Sequence, residues 1–139
     1  MNRRDFVKKG CTSCLGVLIL GLSLESCKSN TVFKTNITDK KIKIPIDKFR
    51  QTEKLIVRIN TLDYDILVVK NKKTYKALYL KCTHRDNPVY LADNTLSCNL
   101  HGSTFDINGN VTNGPAQENL TIFDCFIDKD ELVVQVGKA

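Results

Sequence analysis

Histidine is in short supply in this chain: there are two in 139 residues, His84 and His101. Other scarcities exclude more. After residue 30 no segment sustains an apolar period of 3.6 residues, so a helix-rich fold is not expected. No apolar run reaches the roughly 20 residues that a membrane span requires; the longest, from Gly10 to Leu24, has fifteen. No cluster of lysine and arginine is interleaved with aromatic residues, which sets nucleic-acid binding aside. Internal repeats and low-complexity tracts are lacking too. What remains is one domain, or one domain with an appendage.

Composition and charge are unexceptional. Hydrophobic residues at 42% and charged residues at 26% are ordinary for a globular protein. Of the net charge of +6, Arg3, Arg4, Lys8 and Lys9 against Asp5 and Glu25 supply +2, leaving +4 over residues 27–139. That surplus is mild and diffuse. It favours solubility, an acidic partner or an anionic lipid.

The N-terminus reads as an address. A basic segment, Arg3 to Lys9, leads into the short apolar run, the layout of an export signal. "NRRDFVK" resembles the twin-arginine export signal, with Asn2 for its usual Ser/Thr and Val7 for its usual Leu. "LESC", residues 24–27, resembles a bacterial lipobox with an atypical Glu25. The resemblances imply a signal over residues 1–26, cleavage, and lipid chains on Cys27 that tether the folded part to the bacterial cell envelope. An N-terminal anchor that stays attached is the alternative. The twin-arginine route carries folded proteins, which suits a cofactor inserted before export. Cys11 and Cys14 form a Cys-x-x-Cys, but both lie in the run that leaves with the signal. Residues 27–40 are polar and aperiodic and are read as a tether.

From Lys41 to Ala139 the chain is a series of short β-type runs between turn residues, among them "KIKIPI", "KLIVRI", "YDILVV", "TYKALYLK" and "ELVVQV". An all-β domain is expected, an antiparallel sandwich or small barrel. Asn108-Gly109 predicts a two-residue hairpin turn, since both residues tolerate positive φ; Asp128-Lys129-Asp130 predicts another turn. In "IFDCFI", alternation puts Phe123, Cys125 and Ile127 on one face, with Cys125 as a buried core thiol and Asp124 opposite.

Both histidines fall in "CTHRDNPVYLADNTLSCNLHGSTFD", residues 82–106, as Cys82-x-His84 and Cys98-x-x-His101. Thirteen residues separate His84 from Cys98. Two thiolates and two imidazoles on two short loops form a metal-ligating set. The pattern resembles the Rieske iron–sulfur family, whose loops read Cys-x-His and Cys-x-x-His across a spacer of this length. "HGSTFD" matches the second loop further, and "NGPA", residues 113–116, resembles the family's third, proline-bearing loop. The resemblance spans roughly residues 41–137. It implies a cluster-binding subdomain of two loops plus a proline loop, set on the β domain. It implies one [2Fe–2S] cluster per chain, with Cys82 and Cys98 on one iron and His84 and His101 on the other. Two thiolates on a +2 core give a neutral site, and one added electron makes it −1. An imidazole able to lose its proton couples reduction to pH. A structural zinc is the other use of such ligands, although a Cys-x-His bite is uncommon there, and it would make the protein a zinc-stabilised binding module.

Neighbouring residues refine what the resemblance implies. Family members that brace the cluster with a disulfide carry one more cysteine in each loop. Asn87 and Leu100 stand at those places, so the loops resemble those of Rieske-type ferredoxins. Ser103 matches a serine whose hydroxyl bonds to sulfur in high-potential members, while Phe105 stands where a companion tyrosine would be. Such hydrogen bonds favour the reduced cluster, so keeping one of two predicts a potential in the lower half of the range of about −150 to +300 mV. Pro88 is expected to fix the exit of the first loop. Gly102 lets the backbone approach the cluster, and Asp106 is expected to anchor the second loop. The implied function is one-electron transfer at an exposed tip of His84, His101, Leu100 and Pro115. Its partners would be a donor and an acceptor protein, such as a cytochrome or a subunit of a larger oxidoreductase. With no third histidine and no room for a second domain, an oxygenase iron site held by two histidines and a carboxylate is excluded from this polypeptide.

Overall fold

The computed structural model describes residues 30–137; the expectations for the signal and for Cys27 lie outside them. The strands are β1 (Val32–Thr35), β2 (Lys41–Pro45), β3 (Lys54–Ile59), β4 (Ile66–Asn71), β5 (Thr74–Tyr79), β6 (Tyr90–Ala92), β7 (Thr95–Ser97), β8 (Thr104–Asp106), β9 (Val111–Asn113), β10 (Ile122–Phe123), β11 (Cys125–Asp128) and β12 (Glu131–Gln135). A single 3₁₀ turn, Ile46–Phe49, is the helical element among the described residues. The all-β expectation holds.

Three sheets form: β1-β3-β4-β5-β10, β11-β12-β2 and β6-β7-β8-β9. The five-stranded sheet is the middle layer because its strands are apolar on both parities. Leu55, Val57, Ile66, Val68, Ala77 and Tyr79 face one core with Ile42, Ile44, Leu132 and Val134 of the three-stranded sheet. Their neighbours Leu67, Leu78 and Leu80 face a second core with Leu91, Leu96 and Phe105 of the four-stranded sheet. Successive strand residues point to opposite faces, and burial of both faces is what turns "DILVV" into an unbroken apolar run.

The structure departs from expectation in three places. Part of the segment read as a tether is a strand: β1 pairs in parallel with β3, Val32 opposite Ile56. Its half-buried alternate residues, Phe33 and Thr35, were too few to announce it. The β8–β9 connection has four residues, 107–110, and of its Asn-Gly pair Gly109 alone takes a positive φ, 88°. Glycine is required there twice over, since an added Cβ would lie 2.8 Å from Leu78 Cδ2. Finally, Phe123 is buried and Cys125 is half-buried, but Ile127 is 50% exposed. At Asp124 the chain leaves the five-stranded sheet for the edge of the three-stranded one, so one alternation does not run through both. The Asp128–Asp130 turn forms as expected, with Lys129 at φ 56°.

Candidate metal centre

The second core carries three loops at one end. The first, after β5, is closed by backbone pairs: the Cys82 N–H donates to the Asn87 carbonyl (2.8 Å) and the Val89 N–H to the Leu80 carbonyl (3.0 Å). Lys81 clasps Asp86 across the loop at 3.2 Å, and this hydrogen bond is the main reason the Lys81 ammonium titrates above its ordinary value. The Tyr64 hydroxyl, reaching from outside the loop, donates to the Asp86 carbonyl. Pro88 pairs by a bridge with Lys81 at the loop's exit.

The second loop joins β7 to β8. The Cys98 N–H donates to the Ser103 carbonyl (2.9 Å) and the Gly102 N–H to the Cys98 carbonyl (3.1 Å). Gly102 takes φ 79°, the left-handed region that favours glycine. The third loop follows β9 and is fastened to both others. Ser103, fully buried, accepts the Ala116 N–H on Oγ at 3.0 Å, and Thr83 Oγ1 donates to the Glu118 carbonyl at 2.6 Å. Asp106 anchors the second loop's far side by accepting the N–H groups of Asn108 and Asn110 and the Asn110 side chain, each within 2.9 Å. Desolvation pushes its carboxyl up, but these three donors outweigh it and hold the pKa below the usual carboxylate value.

The four candidate ligands separate by depth. Cys82 and Cys98 are buried and free of disulfides. His84 is half-buried and His101 exposed, and their rings meet edge to face with centroids 5.0 Å apart. Leu100 and Pro115 are exposed beside them. Thiols behind and imidazoles in front are a donor set that fits a [2Fe–2S] cluster of mixed ligation. Among the described residues no three Cys, His, Asp or Glu side chains gather on one ion position.

The model of the Rieske [2Fe–2S] domain family matches residues 41–124. The chain belongs to the Rieske family. It therefore carries a [2Fe–2S] cluster and works by iron–sulfur electron transfer with redox partners. No curated protein matches it significantly. Among solved structures, the plasma-membrane Rieske protein PetC3 of the cyanobacterium Synechocystis PCC 6803 is 22% identical, covering 67% of this chain and 97% of its own with a TM-score of 0.55. A chain of the complex of reduced oxygenase and oxidized ferredoxin in carbazole 1,9a-dioxygenase is 18% identical, with 73% and 98% covered and a TM-score of 0.53. A chain of a hyperthermophilic respiratory Complex III is 17% identical, with 93% and 92% covered and a TM-score of 0.52. At these identities the likeness is one of fold.

What sequence reading missed in this Rieske domain is the fastening. Thr83 and Ala116 fasten the third loop to the other two, and Tyr64 holds the first loop from outside, each through a backbone group. No motif marks a residue whose partner is a carbonyl or N–H far along the chain. Ser103 accepts the third loop's Ala116 N–H on the same oxygen whose hydrogen the family resemblance directs to sulfur.

Proposed function

We propose that this Rieske protein is an exported, membrane-tethered one-electron carrier. Cys82 and Cys98 hold one iron of the cluster, and His84 and His101 hold the other. The observation that carries this reading is the pairing of two buried, unbridged thiols with two touching imidazoles at an exposed tip. The cluster supplies a one-electron couple. The chain's own part is to keep water from the thiols, to brace three loops against reorganisation, and to present His84 and His101 to a partner. Leu100, 55% exposed, gives the tip an apolar contact that a docking protein can cover.

The tether is Cys27, lipidated after signal cleavage, or else an anchor left in place, and the site of action is the bacterial cell envelope, on the periplasmic side or the outer surface. Support for it is the sequence of residues 1–27. Among the described residues no helix is long and apolar enough to cross a membrane. Keeping the Ser103 hydroxyl while Phe105 stands in place of the companion tyrosine supports a potential in the lower half of the Rieske range.

The test is spectroscopic. The holoprotein should be red-brown, show the low-g EPR signal of a reduced mixed-ligand cluster, and lose both in Cys82→Ser and His101→Ala. A colourless protein with stoichiometric zinc overturns the proposal. Protein-film voltammetry near the upper limit of the range overturns the assignment of potential. Membrane pull-down distinguishes a free carrier from the electron-transfer subunit of a larger oxidoreductase.

A further inference from the structure

Cations that look scattered in the sequence gather at the pole opposite the loops. Lys54, Lys70, Lys72 and Lys76 line one groove with Glu53, and Arg50, Lys70 and Lys72 line the adjoining one with the same Glu53. That is five cations for one carboxylate. Among the described residues none of the five is in an ion pair; the pairs are Lys43–Glu131, Arg58–Asp65 and Lys81–Asp86. Three of the five have neutral oxygens as partners. Lys54 reaches the Asp93 carbonyl and the Asn94 side chain, Lys70 the Phe49 carbonyl, and Lys76 the Asn108 carbonyl. These bonds leave the charge uncompensated. Of the nearby acids, Asp93 borders an adjacent groove and Asp47 has Lys48 beside it.

Topology sets this pole apart from the cluster loops. β5 begins next to Lys72 and runs six residues, about 20 Å at roughly 3.3 Å each, before the chain enters the Cys82 loop. The Asp93–Asn94 and 107–110 turns lie at the lysine end of the four-stranded sheet, and the ligand loops lie at its other end.

The chain also enters the domain here. The Ile56 N–H donates to the Thr31 carbonyl and Asn30 to the Leu91 carbonyl, and Thr31 shares a groove with Lys54 and Asp93. Cys27 stands three residues before Asn30, at most about 11 Å of chain. An anionic leaflet's field extends about 8 Å at physiological salt, a distance comparable with that reach.

We propose that the lysine pole rests on the anionic surface of the membrane that holds the N-terminus, so that the cluster tip points away from the bilayer. The inference rests on tethering at Cys27. Each basic residue held at an anionic surface strengthens binding about fivefold.

The test is flotation of the full-chain holoprotein with vesicles of phosphatidylcholine, with and without phosphatidylglycerol. Neutral vesicles report the anchor. Anionic vesicles should bind more tightly, and high salt should abolish the difference. The triple variant Lys54→Gln, Lys72→Gln, Lys76→Gln should lose about a hundredfold of the anionic increment, with unchanged cluster spectrum and unchanged binding to neutral vesicles. No binding to neutral vesicles overturns the tether, and an anionic preference that the triple variant then still abolishes supports the pole as the membrane-facing surface. Equal affinity for both vesicles, or an undiminished preference in the triple variant, overturns the pole. So does slower electron transfer from an acidic protein in the triple variant without any vesicle preference, since that outcome makes the pole a protein-docking site.

Discussion

Replacing Ser103 with alanine would separate two tasks that meet on one oxygen. The side chain is fully buried and takes the Ala116 N–H at 3.0 Å. Ala116 is itself only 4% exposed, so the variant leaves a buried donor with no partner. An orphaned N–H of this kind costs about 1–3 kcal/mol, a fall in Tm of roughly 5–20 °C for a domain of about 100 residues. The second task concerns the hydroxyl hydrogen. Among the described residues no acceptor takes it, which leaves it available to sulfur. A hydrogen bond to a charged acceptor is worth about 1.5–3 kcal/mol, and the part that differs between oxidised and reduced states is about 1–2 kcal/mol. At 59 mV per tenfold change for one electron, the midpoint should fall by roughly 40–90 mV. Thermal melting and protein-film voltammetry on the same preparation read the two effects separately. A destabilised variant with an unmoved potential would make Ser103 a loop fastener alone. A variant with neither change would refute the reasoning about the buried oxygen altogether.

The remaining expectations concern other parts of the fold. Phe105→Tyr restores a hydroxyl at the place of the family's second donor, and voltammetry should show a higher potential than the parent, whatever the buried oxygen costs in stability. Asp106, whose carboxyl is held below its ordinary value, stabilises the fold at pH above the unfolded carboxyl's pKa of about 3.9, and that contribution is lost as pH falls through the lowered folded value. Asp106→Asn should flatten the acid side of the stability curve in urea titrations at several pH values and cost about 1–2 kcal/mol at neutral pH. Leu67→Ala empties a fully buried place beneath the ligand loops, and chemical denaturation should show a loss of about 2–5 kcal/mol. Cys125, pushed up by burial and then by Asp124, donates to the Tyr75 carbonyl at 3.1 Å. It should resist alkylation in the native protein, and because the folded state disfavours its thiolate, stability should fall as pH rises past about 8.5.

Chain order alone made the metal chemistry legible, because its determinants are local. Cys82 and His84, or Cys98 and His101, are so close in sequence that any loop carrying them offers both heads to one site. Strand runs such as "KLIVRI" and "ELVVQV" were legible for the same reason, since a strand's alternation is written in consecutive residues. Asp106 was legible through the local turn it makes, whereas the positive φ of Gly102 was not part of its sequence reading. Tertiary structure decided whatever depends on distant segments meeting. It made Val32–Thr35 a strand by giving it β3 as a neighbour, and it sent Leu67 and Val68 to different cores by stacking a sheet on each face. It tied the third loop to the others through Ser103 and Thr83. It drew Arg50, Lys54, Lys72 and Lys76 from separate stretches into one uncompensated pole. One-dimensional spacing fixes which groups can share a loop, but which surfaces adjoin is settled only when the sheets bury their apolar faces against each other.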